Sequence, residues 1–476
     1  MAELDQALDE APLSRFHSRA VVTAGMGFFT DAYDLFIIGT VTTLIGKSWH
    51  LTSAQTGLVN SITLISAFVG AFVFGRIADV LGRKKVYGLE AALMVVGALA
   101  SGLAPNLTWL LVSRFVLGIG VGGDYPMSAT LMSEFANRRD RGKLVGLVFS
   151  MQALGTLSGY VAALALLAAG VDHAVTWRLL LALGAVPAAA VVYLRRRMPE
   201  SPRYLSTVQG KSQLAAASVL EYSDGVVRTS APTEVSVRQE RRPTGAMPLS
   251  RFLGTPRYLL LLLGTAGSWF VFDYAYYGNS VSAPLIVKSV LGKGGAHVLT
   301  EALALQLIMF TVAAVPGYYL AVALMDRIGH RRLQLLGFFA MGAAFLLIGV
   351  IPGVTAAILP FMLLFGLSYF FAEFGPNTTT FVISSEVYPT SARATGHGIS
   401  AGIAKVGAFI GVYLFPVIKH HLGVSGALRL SFGMAMVGIL LTLAIPETTR
   451  RSLSELAPEE VVSAAERLVS AQRVTG

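Results

Sequence analysis

The chain has 476 residues, of which 54% are hydrophobic and only 13% charged, with a formal charge of +10 and no cysteine. One soluble core could not bury that much apolar surface, so lipid must be its main solvent. The missing cysteines exclude disulfides, zinc–thiolate clusters and thiol chemistry, and the basic residues gather in alternate loops between apolar stretches, which is a topology signal and not a nucleic-acid patch.

In chain order, residues 1–19 carry Glu3, Asp5, Asp9 and Glu10 without an apolar core, so a polar tail is expected and not a cleaved signal. Hydropathy then predicts twelve membrane spans, at 20–45, 54–81, 86–104, 107–131, 143–169, 177–196, 257–286, 301–326, 332–351, 356–384, 394–418 and 425–446. A bilayer core of ~30 Å needs about 20 apolar residues per helix, and each stretch meets that length. The fold class expected is an all-α polytopic membrane protein: a tail (1–19), a six-helix half (20–197), a polar central loop (198–256), a second six-helix half (257–446) and a tail (447–476). Arg83-Lys84-Lys85, Arg138-Arg139 with Arg141 and Lys143, Arg195-Arg196-Arg197, Arg327 with Arg331-Arg332, and Arg450-Arg451 fall on one side. The opposite loops hold little beyond Lys47, Lys288, Lys293 and Lys419. By the positive-inside bias both termini and the central loop are cytoplasmic, in a cell membrane.

A charged side chain at the bilayer centre costs at least ~2.5–3.5 kcal/mol, so each asks for a partner or a task. Asp31 and Asp34 lie three apart and share a face of the first span, where they either hold a proton or bond structurally to helix ends or to Arg114. Glu90, one turn into the third span, reads as a relay or as a snorkelling side chain. Asp124 follows Gly118, Gly120, Gly122 and Gly123, which read as close helix contacts because no strand precedes them. The acid itself reads as a relay or gate paired with Arg114. Gln152 and Asn377 are amides that donate to anionic oxygen or join helices, and Pro376 predicts a break before Asn377. Trp269, Asp273 and Tyr277 are spaced by four and form one stripe that should face a cavity. Lys405 lies too deep to snorkel, and Asp273 is its expected counter-charge. No nucleophile–base pair or metal cluster occurs, so no enzyme, cofactor or metal site is expected.

Asp79-Val-Leu-Gly-Arg-Lys-Lys85 after the second span is echoed by Asp326-Arg-Ile-Gly-His-Arg-Arg332 after the eighth, and Glu134 with Arg141-Gly142 by Glu386, Arg393 and Gly396. Gly75-Arg-Ile-Ala-Asp79 with Gly82-Arg83 resembles the loop signature of the major facilitator superfamily, and Pro199-Glu-Ser-Pro-Arg203 with Pro446-Glu-Thr448 its sugar-porter division. Asp31-Ala-Tyr-Asp-Leu-Phe36, Gly122-Gly-Asp-Tyr-Pro-Met-Ser-Ala-Thr130, Phe374-Gly-Pro-Asn-Thr-Thr-Thr-Phe381 and Gly396-His-Gly-Ile-Ser400 together resemble the phosphate:proton symporters of that superfamily. The resemblance implies phosphate contacts at Tyr125, Gln152, Trp269, Asp273, Tyr277, Asn377 and Lys405. It implies proton handling by Asp31, Asp34, Asp124 and Asp273 with Arg114. It implies a conformational motif of Gly75, Asp79, Gly82, Arg83, Glu134, Arg141, Asp326, Arg327, Glu386 and Arg393, with Pro202 and Arg203 in a cytoplasmic latch. Protonation of Asp273 would free Lys405 for phosphate, so cargo and proton bind together. Glu373 stands where a neutral residue is expected. The carrier is expected to act as a monomer in the bilayer. An organic-anion or sugar symporter, or a sensor that binds without turnover, are the competing readings.

Overall fold

Peptide groups in hydrocarbon have no water to bond, so a chain of this composition satisfies them within helices. The computed structural model describes residues 2–46, 48–222, 245–283, 286–287 and 298–458, and its regular elements there are helices. Lys47, Lys288 and Lys293, the middle of the central loop and the C-terminal tail beyond 458 lie outside the described residues.

The spans are Arg15–Ile45, Ser53–Leu81, Arg83–Gly102, Leu107–Phe135, Arg141–Ala168, His173–Arg196, Pro256–Val281, Leu299–Ile328, His330–Val350 and Ile358–Ser384, numbered here first to tenth. The eleventh and twelfth expected spans form one 50-residue helix, Arg393–Thr442, broken at Gly423 with φ +66° and ψ −178°. Only glycine adopts that conformation readily. Its limbs, 393–422 and 424–442, are each long enough to cross a bilayer.

Within the first six spans, the first packs on the fifth and sixth, and the fourth on the second and third. Within the last six, the seventh and ninth pack on the long final helix and the ninth on the tenth. Gly118 and Gly122 of the fourth span press against backbone of the second at Thr63 and Ala67, while Gly120 presses against the third at Glu90, so a side chain at any of these three would force helices apart. Two seams join the halves: the second span against the eleventh limb, where Gly75 abuts the Ala394 carbonyl, and the fifth against the eighth.

The tenth span breaks at Glu373–Asn377, where Gly375 is non-helical (φ −117°, ψ −105°) and Pro376 lacks a donor. The three threonines that follow compensate. Thr378, Thr379 and Thr380 hydroxyls donate to the carbonyls of Glu373, Gly375 and Pro376 at 2.7, 2.9 and 2.7 Å. The break therefore holds its shape without exposing backbone to lipid, and it leaves Asn377 buried at its end.

Candidate functional site

Seven spans contribute side chains to one buried polar cluster among the described residues. Lys405, 1% exposed, donates to Asp273 Oδ2 at 3.0 Å and to the Tyr277 hydroxyl at 3.2 Å. Its ammonium also lies 4.6 and 4.4 Å from the ring centres of Tyr125 and Tyr277, whose π faces help compensate the charge. From the first half, the Tyr125 hydroxyl donates to Asp31 Oδ2 at 2.8 Å, and Gln152 Nε2 donates to the same oxygen at 3.3 Å and to Tyr125 at 3.2 Å. Tyr318 carries the network across the seam by donating to Gln152 Oε1 at 3.1 Å. Asn377 Nδ2 donates to Tyr318 at 2.8 Å and to Glu373 Oε2 at 2.5 Å. Trp269 completes the stripe, its ring 6.0 Å from that of Tyr125.

Aromatic layers close this cluster at both ends. Toward the end bearing the basic loops, Phe149 stacks on Phe381 at 4.5 Å and Phe28 meets both edge-on. Toward the other end, Phe36 of the first span meets Tyr277 and Phe310, and Tyr160 meets Phe310. These rings come from both halves, and the side chains of the cluster are buried throughout. A desolvated ammonium holds a carboxylate, and hydroxyl and amide donors surround the pair without adding charge.

Of the remaining expected proton-handling residues, Asp34 takes the Arg114 partner that was one of its two readings, and Asp124 does not. Asp31 and Asp34 are not a mutual pair: Asp31 turns into the central cluster, while Asp34 accepts from Arg114 at 3.2 Å. Arg114 therefore does not pair with Asp124. Instead Arg195, expected in a basic loop, is fully buried and bridges Asp124 at 2.7 Å and Glu90 at 2.9 Å. The correction has a geometric cause, since the end of the sixth span packs between the first and third and brings Arg195 level with both acids. Glu90 is buried as well and does not snorkel.

At the basic end the two echoed loops hold the seams reciprocally. Asp79, ending the second span, accepts from Thr395 N at 2.7 Å and so caps the eleventh limb; Asp326, ending the eighth, accepts from Lys143 N at 2.8 Å near the start of the fifth. Arg83 bonds Asp79 at 3.1 Å and Glu134 at 3.0 Å, and Arg393 reaches the same Glu134 from the other half at 3.0 Å. In the second copy the role expected of Arg327 falls to His330, which contacts Asp326 at 3.1 Å and Glu386 at 3.2 Å, while Arg327 is exposed. Arg327 lies on the last turn of the eighth span, whereas His330 opens the ninth span after the turn at Gly329 and comes back to the acid. Gly82 takes φ +102° at the loop turn. Arg141 and Arg203 both bind Asp9, at 3.3 and 2.6 Å, tying the N-terminal segment to this end.

Outside the spans, Glu200 and Glu447 cap the third and ninth spans: Glu200 accepts from the Arg83 and Lys84 backbones, Glu447 from His330 N at 2.9 Å. Burial pushes the Glu200 carboxyl up against the pull of Arg83. Burial would also raise Glu447, but donors from Thr449 and Arg331 and the nearby His330 outweigh it and hold the group below its ordinary value. Sequence reasoning missed Tyr318, Arg195 and His330. The repeat Asp79…Arg83 against Asp326…His330 was the signal for the last, whereas no local pattern marks the other two.

Residues 20–459 match the family model described as sugar (and other) transporter. The chain is 35% identical over 500 residues to a probable inorganic phosphate transporter 1-6 of Arabidopsis thaliana, covering 95% of this chain and 96% of that one. It is 36% identical over 482 residues to a putative inorganic phosphate transporter 1-13 of Oryza sativa subsp. japonica, covering 95% and 93%. Among solved structures, the major facilitator proton:xylose symporter XylE bound to 6-bromo-6-deoxy-D-glucose superposes with a TM-score of 0.76 at 20% identity, covering 94% and 99%. The inward open conformation of the E. coli xylose transporter gives 0.62 at 20% identity, covering 92% and 98%. These likenesses show the major facilitator fold.

Proposed function

Because the chain belongs to the sugar (and other) transporter family and is a multi-pass membrane carrier, we propose that its cargo is inorganic phosphate, taken up together with protons by alternating access. The observation that carries this reading is the buried Lys405–Asp273 pair, set between two tyrosine rings, one of which, Tyr125, donates its hydroxyl to Asp31. A neutral sugar has no need of a buried ammonium. A phosphate anion replaces Asp273 on Lys405 once Asp273 takes a proton, so the loaded site gains one negative and one positive charge together. The relatives named as phosphate transporters support the same cargo.

Tyr125, Gln152, Trp269, Tyr277 and Asn377 supply donors and walls, and Asp31 holds a further proton. Asp34 with Arg114, and Asp124 with Arg195 and Glu90, lie along routes from the cluster to either end. The halves 20–197 and 257–446 rock about the site, and the basic end faces the cytoplasm of a monomer in the plasma membrane. The test is reconstitution in liposomes with labelled phosphate. An inside-alkaline gradient should accelerate uptake, unlabelled phosphate should compete, and glucose and small carboxylates should not. Accumulation of glucose with indifference to phosphate overturns the reading.

A further inference from the structure

Glu373 opens the broken segment of the tenth span and is fully buried. Its Oε2 accepts from Asn377, and the hydroxyls of Tyr276 and Tyr318 lie against the carboxyl. The groups that face it come from several elements: Tyr276 and Asp273 from the seventh span, Tyr318 from the eighth and Tyr369 from its own. The ninth span sets the Gly337 backbone against the break and the Gln334 amide against Thr379, and Lys405 of the eleventh limb is committed to Asp273. Asp31 and Gln152 reach this corner only through Tyr318. Among the described residues no cation pairs with Glu373, so three phenols, an amide and a second acid surround it.

An ionised carboxylate in a closed interior without a cation is far costlier than the neutral acid. A neutral acid keeps one acceptor oxygen for the Asn377 amide and carries an O–H donor of its own. We propose that Glu373 is a cargo-site residue that works as a neutral carboxylic acid, holding the Asn377 amide toward the oxyanion, and that its ionisation closes the site to anionic cargo. With its proton in place Glu373 adds no negative charge beside Lys405. Once the proton leaves to water, the carboxylate tightens its hold on the Asn377 donor and repels the anion. Glu373 is thus a positioning residue acting through Asn377, and the inference rests on the phosphate reading above.

The test compares wild type with Glu373→Gln, which keeps the shape and cannot ionise. In proteoliposomes at equal pH on both sides, the KM for phosphate exchange should rise with pH more steeply in wild type, the two diverging by up to ~10-fold per unit above the titration of the acid. Glu373→Asp should restore the wild-type steepness. Parallel profiles in wild type and Glu373→Gln overturn the inference. A readout without cargo separates this from the transport reading: infrared spectra of the purified protein at neutral pH should show the C=O stretch of a protonated carboxylic acid that Glu373→Gln abolishes. Absence of that band in wild type, or its full persistence in the variant, overturns the role of Glu373. Failure of the wild type to exchange phosphate at all overturns the cargo assignment instead.

Discussion

The Lys405 ammonium and the Asp273 carboxylate are each stable in the closed interior only because of the other. Removing one partner of such a pair costs ~3–5 kcal/mol, so Lys405→Ala should lower phosphate uptake at sub-saturating concentration by at least ~100-fold in liposomes. Asp31 differs, because its Oδ2 is held by neutral donors from Tyr125 and Gln152. Asp31→Asn keeps an acceptor for both. It should therefore preserve phosphate exchange at equal pH while abolishing acceleration by a proton gradient, measured with the same labelled cargo. These residues were legible in the sequence because an intramembrane charge is conspicuous. Their partners were less so: Asp124 was matched to Arg114 on its own helix, and only the packing of the sixth span reveals Arg195.

At the scale of elements, hydropathy located the spans to within a few residues, since the length of a crossing helix is set by the bilayer. The break at Gly423 and the threonine repair of the tenth span depend on backbone geometry that composition does not encode. The caps are a further element-scale device. Glu447 sits below its ordinary pKa, so its contribution is complete above the unfolded value and is lost as pH falls through the folded one. Wild type should thus melt at a higher temperature than Glu447→Gln near neutrality, by a small margin because the carboxyl is half-exposed and screened. The two melting curves should converge on acidification below the usual glutamate range.

For the whole molecule, the basic end is shut by one carboxylate shared between halves: Glu134 takes Arg83 from its own half and Arg393 from the other. In Glu134→Gln the two guanidinium groups lose their common anion and repel, which favours opening at this end. The chain has no native cysteine, so Ser133→Cys, beside the seam contact to Ser385, can report it. Its maleimide labelling should quicken ~10-fold in the Glu134→Gln background, a shift of ~1.4 kcal/mol in the population. The layer of rings beneath the cluster has one further consequence. Of the chain's four tryptophans, Trp49 and Trp177 pack on each other, Trp109 is 51% exposed, and Trp269 alone sits against Tyr125, Phe381 and His397. With the other three changed to phenylalanine, emission from that single indole should change colour and intensity each time the rings separate, giving a carrier whose turnover can be watched optically without any attached dye.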